Sequence, residues 1–112
     1  MKAAHLMPVA LLGLALAGTA GAADLVTVAP DLWDRPRSGA GVAVQPAVQR
    51  AVQIYFAQSG ARLVIHHAPG QEPLAQADEL RAWLVALAID AGRVSLRGDL
   101  NAGEPLKIET AP

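Results

Sequence analysis

Two adjacent histidines, His66 and His67, close the apolar run Leu63, Val64, Ile65 and are followed by "APGQEP", so a strand runs into a turn at that point. Such a pair raises two chemistries: metal ligation through neutral imidazole nitrogens, and proton-dependent binding through a pKa near 6.5. Alternation restricts the first. Successive side chains on a regular strand point to opposite faces, so the two rings do not converge on one ion. Oxygen ligands would have to come from Glu72 or Asp78, and no spacing of two histidines and one carboxylate directs them there. The remaining histidine, His5, lies in the leader segment described below. No metal and no cofactor is expected.

Nucleophilic catalysis is expected to be absent too. The chain has no cysteine, and Ser38, Ser59 and Ser95 fall in a loop, at a helix end and in a strand, without a nucleophile-elbow setting. "RSGAGVAV" has the glycines of a phosphate loop but neither its lysine nor a preceding buried strand. The expectation is a protein that is not an enzyme. A second polar group is Trp33, Arg35 and Arg37 around Pro36. Two guanidinium groups flanking a proline can hold a carboxylate in bidentate pairs. The plainer role is to solvate a loop or to pair with Asp31 or Asp34.

These residues must be positioned by a small exported domain. "MKAAHLMPVALLGLALAGTAGAAD" has a cationic start at Lys2, an apolar run from Leu6 to about Ala17, and small residues at Ala20, Ala22 and Ala23. That is the pattern of a secretory signal peptide over residues 1–23, cut after Ala22 or Ala23. A membrane-spanning helix needs roughly 20 apolar residues and a less Gly- and Ala-rich end. Without cysteine there is no acceptor for a lipid anchor at the cut. The expected product is a soluble periplasmic protein with no stable membrane insertion, forming one domain over residues 24–112.

That product has roughly 89 residues, enough for one small core. No disulfide can staple it, so packing alone must stabilise it. The hydrophobic fraction of 53% is raised by the leader, yet apolar spacing stays regular beyond it, as in a folded domain. Losing Lys2 moves the formal charge from −1 to about −2. A chain with that charge lacks the basic surface on which nucleic acid and anionic lipid bind.

Leu25 to Val28 is a short β-branched run stopped by Pro30, which marks an edge strand. "DRPRSGAG" reads as turn or loop only. From Pro46 to Ser59 the period changes to that of a helix, with Val48, Ala51, Val52, Tyr55 and Phe56 on one face and Gly60 past its end. "RLVIHH" is a buried strand. A second helix is predicted from Pro73 to about Ile89, with Leu74, Ala77, Leu80, Leu84 and Leu87 as its stripe, Trp83 over the sheet edge, and an Asp78–Arg81 ion pair in solvent. "RVSLR" and "PLKIE" are strands joined by the turn "GDLNAGE". The β-α-β-α-β-β order predicts an α/β sandwich of the α+β kind, with two helices packed on one face of a small mixed sheet.

From Ala77 onward, "ADELRAWLVALAIDAGRVSLRG" resembles the second half of an OmpA-like domain, the family of outer-membrane and flagellar-stator proteins that grip peptidoglycan. Its pattern there is a helix ending in Tyr-Leu, three residues, Gly-Ile, a short turn with a basic residue, and a strand closing on Arg-Gly. Trp83-Leu84, Ala88-Ile89, Arg93-Val94-Ser95 and Arg97-Gly98 stand at those places without a gap. Upstream, "LVIHHAP" resembles the family strand that ends in Gly-His-Thr-Asp, which puts His67 on the family histidine and Pro69 on its aspartate. The resemblance spans Leu25 to Glu109 and implies the same fold.

It also implies that the family's ligand-holding groups are missing. The aspartate and the arginine that hold the diaminopimelate of the peptidoglycan stem fall on Pro69 and Gln76, with Ala75 beside the latter. Two lost charge-assisted bonds of roughly 1.5–3 kcal/mol each remove about 3–6 kcal/mol, a hundredfold or more in affinity. Three functions stay open. The first is a non-catalytic envelope module that contacts another protein through its sheet edge or the Arg35 to Gly41 loop, with Trp33 beside it. The second is a peptidoglycan binder with a rebuilt site of His67, Glu72, Gln76 and Arg81. The third is a metal- or pH-responsive protein centred on His66 and His67.

Overall fold

The computed structural model describes residues 23–112, so the leader expected over residues 1–23 lies outside the described residues except for Ala23. Among the described residues there are four strands, β1 (Asp24–Thr27), β2 (Arg62–His66), β3 (Val94–Arg97) and β4 (Lys107–Ala111). Among the same residues three helices, α1 (Gly39–Ala43), α2 (Pro46–Ala57) and α3 (Gln71–Ala86), and two 3-10 turns, Pro30–Asp34 and Ala91–Arg93, connect them. The sheet order is β1-β4-β2-β3. β2 and β3 run parallel because α3 crosses between them, and β4 enters antiparallel to both β1 and β2. This is the expected α+β fold with a mixed sheet, and β1 is at its edge.

Period-two burial explains which face is covered. Leu63 and Ile65 of β2, Val94 of β3 and Ile108 of β4 meet Val48 and Ala51 of α2 and Ala77, Leu80 and Leu84 of α3 in one core. The alternate residues form the other face. Leu25, Glu109, Val64 and Ser95 lie in one cross-strand row, and Lys107, His66 and Arg97 in a neighbouring one. Polar side chains suit that face because among the described residues both long helices pack on the opposite one.

Several local expectations are corrected. Gly39 to Gly41, read as the end of a loop, instead open the short helix α1, because the Ser38 side chain caps it by accepting from the Gly41 amide at 3.1 Å. Helix α3 begins at Gln71 rather than Pro73 and ends at Ala86 rather than Ile89. Phe56 and Leu74 lie on helix flanks instead of the buried stripe, 60% and 44% exposed. The stripes are centred on Val48 and Ala51 in α2 and on Ala77, Leu80 and Leu84 in α3, which turns both residues away from the sheet. Trp83 does not cover the sheet edge. Its indole N–H donates to Glu79 at 3.0 Å and its ring lies beside Gly39 of α1.

The end of α3 explains the early stop. The Ile89 amide donates to Leu84 O at 3.1 Å and the Ala88 amide to Val85 O at 3.0 Å, the paired bonds of a Schellman cap. Ile89 and Leu84, both buried, supply its apolar contact. The cap requires a left-handed residue, and Ala88 takes it at φ 77° where the OmpA-like pattern has glycine. A side chain in that region costs about 1–2 kcal/mol, partly offset by the greater freedom of glycine in the unfolded chain. Ala88→Gly is therefore expected to raise stability by about 0.5–1 kcal/mol in urea denaturation. An unchanged or lower midpoint would contradict the strain.

Candidate functional site

A cleft of about 320 Å³ opens between the Pro30–Asp34 turn, the first turn of α3 and the β3–β4 loop. Trp33, Glu72 and Gln76, three of the residues singled out from the sequence, line it together. Its charged residues are Asp34, Glu72 and Glu104, with no arginine or lysine among them, and Pro30, Pro73 and Pro105 make its walls stiff. Glu72 sits in the first turn of α3, where the helix dipole favours a carboxylate. Glu104 is held in place by accepting from the Asn101 amide at 3.1 Å.

The other expected residues go elsewhere. Arg81 donates from Nε to Val94 O at 3.2 Å and from Nη2 to Ala91 O at 2.9 Å, so it ties α3 to the start of β3 and does not line the cleft. These backbone carbonyls replace the expected Asp78–Arg81 pair. Arg35 reaches Asp31 at 3.3 Å on the surface, as the plainer reading has it. Arg37 instead forms a bidentate pair with Glu79 of α3, donates to Arg35 O, and stacks 5.2 Å from the centre of the Trp33 ring. The hydrogen bond from Arg37 holds the Glu79 carboxyl below its usual range, against the opposing effect of burial. The loop expected to be an interaction surface is thus fastened to α3.

His66 and His67 part to opposite faces, as alternation demands. His67 is 9% exposed, and its Nδ1 lies 2.9 Å from Ala68 O; since a carbonyl only accepts, that nitrogen carries the hydrogen. Its backbone bonds Arg97 O and the Leu100 amide, and its ring rests against Gly98. His66 is 8% exposed on the open face. Its Nδ1 is 2.7 Å from Asp99 Oδ1 and its Nε2 is 2.7 Å from Glu109 Oε1. Burial works to lower the His66 pKa, but the bonds and charges of Asp99 and Glu109 outweigh it and the net shift is upward from 6.5. The bond from His66 holds Asp99 below 3.8, against a smaller effect of burial.

This triad was not legible in the sequence. Asp99 and Glu109 are 33 and 43 residues from His66, and only the parallel β2–β3 and antiparallel β2–β4 registers bring them to it. Both carboxylates occupy ring nitrogens on different edges of the imidazole, so they face His66 separately and do not enclose one ion. Among the described residues no group of three or more His, Cys, Asp or Glu is arranged to hold a metal. No described helix is long and apolar enough to cross a membrane.

Comparison with family models, curated proteins and solved structures finds no match. The cleft and the histidine triad therefore stand on their own geometry.

Proposed function

We propose that this chain is a small exported protein of the bacterial cell envelope, an OmpA-like module that binds a protein partner without catalysing a reaction and lacks the usual peptidoglycan site. The observation that carries this is the charge of the cleft. Its charged lining is carboxylate only, and Gln76 stands where the resemblance would put the family's carboxylate-holding arginine. Arg81, the one nearby substitute, is committed to two backbone carbonyls. A ligand that carries carboxylates of its own, as a peptidoglycan stem does, meets like charge there.

Sedimentation of the mature protein with purified sacculi tests the reading. The expected result is no saturable co-sedimentation at micromolar protein, with recovery of an envelope protein by crosslinking in cells. The shared placement of Glu72 and Gln76 favours a rebuilt peptidoglycan site as the second reading. Saturable binding to sacculi that is lost in Glu72→Ala would establish it in place of the first.

A further inference from the structure

We propose that Asp99, His66 and Glu109 form a proton-dependent clamp that fixes the β3–β4 loop when His66 carries both ring hydrogens and loosens that loop when one is lost. Ionised carboxylates only accept hydrogen bonds, and a neutral imidazole donates from one nitrogen alone. Two carboxylates at 2.7 Å from the two nitrogens are both satisfied only by an imidazolium. Loss of a proton leaves one carboxylate facing a lone pair, and one of the two contacts must open.

The contact that opens is the one on the freer element. Glu109 is fixed in the central strand β4, paired on both sides, whereas Asp99 lies in the loop between β3 and β4. That loop has a second anchor nearby, the Leu100 amide on His67 O at 3.1 Å. Its far half, Gly103 to Leu106, is a wall of the acidic cleft. Protonation on the open face is thereby linked to the shape of a cleft on another side of the domain. The link is independent of what occupies the cleft.

Asp99 comes to His66 from the loop and Glu109 from β4, while Arg97 of β3 and Lys107 of β4 are the cross-strand neighbours of that histidine. On β1, Asp24 pairs with Arg50 of α2, and Leu25 is the β1 residue beside Glu109. The two cations oppose the imidazolium and the two carboxylates favour it; the carboxylates are the groups in contact.

The pH window follows from the two shifts. His66 has a native pKa above 6.5, so its contribution is complete below about pH 6.5 and is lost as pH rises through the raised value. Asp99 is shifted below 3.8, so its contribution is present above that pH and is lost as pH falls through the lowered value. The clamp is tightest in mildly acidic solution.

The test is an NMR titration of the His66 ring together with amide exchange of residues 99–106, corrected for intrinsic rates. His66 is expected to titrate above 6.5, and protection in the loop to fall about tenfold or more across that titration while β4 amides stay protected. Asp99→Asn, which has an amide that can donate to a neutral ring, is expected to bring the His66 titration down toward 6.5 and to flatten the pH dependence of the loop. A wild-type His66 that titrates at or below 6.5, or loop exchange that does not change across its titration, would overturn the proposal. Both readouts come from the unmodified protein, so the test survives a variant that fails to fold.

Discussion

Leu84→Ala is expected to lower the free energy of unfolding by about 2–5 kcal/mol. Leu84 is fully buried in the core between α3 and the sheet. It is also the residue whose carbonyl accepts the Ile89 amide in the cap of α3, and its side chain belongs with that of Ile89 to the same core cluster. The alanine variant keeps the carbonyl but loses the apolar contact, so the cavity and the weakened cap add. A domain of this size has a total stability of about 4–13 kcal/mol, and no disulfide to make up a deficit. Urea denaturation of wild type and variant measures the difference directly. A loss below about 1 kcal/mol would mean that the core collapses into the space and that the cap does not depend on Leu84.

Gly98→Ala is expected to destabilise by about 1–3 kcal/mol, although it adds a single methyl group. A β-carbon at Gly98 would stand 2.9 Å from Cε1 and 3.4 Å from Nε2 of His67, inside ordinary contact. The ring is not free to withdraw. Its Nδ1 is bonded to Ala68 O, and the backbone of the same residue holds Arg97 O and the Leu100 amide. Relief must therefore move β3 or the β3–β4 loop. A double-mutant cycle with His67→Ala isolates the clash: the cost of Gly98→Ala should fall by 1 kcal/mol or more when the ring is gone. Additive losses would place the cause elsewhere in the backbone.

What the sequence disclosed follows the range of the interactions. The helical period around Val48 and Ala51, the β-branched run of Leu63 to Ile65 and the punctuation at Pro46 and Gly60 act within one element, and they were legible. Trp33, Glu72 and Gln76 were singled out residue by residue, and the fold gathers them in one cleft. The Arg37–Glu79 pair and the His66 triad span 42, 33 and 43 residues and depend on register and helix placement. No spacing in the chain announces them. Helix α1 escaped for a different reason. Its glycines argue against a helix, and only the Ser38 cap and packing beside Trp83 overcome that propensity.

The place of β4 has a consequence for how the domain comes into being. The last strand in chain order is an interior strand of the sheet; β1 joins the sheet through it, and β2 has it on one side and β3 on the other. Until Lys107 to Ala111 are available, β1 has no ladder partner and β2 has only β3. A chain emerging from its N-terminus cannot join β1 to the sheet before β4 is complete. The β1–β4 and β2–β4 pairings form together and late, so an incomplete chain leaves the β4-facing edges of β1 and β2 unpaired and open to a binder of extended polypeptide.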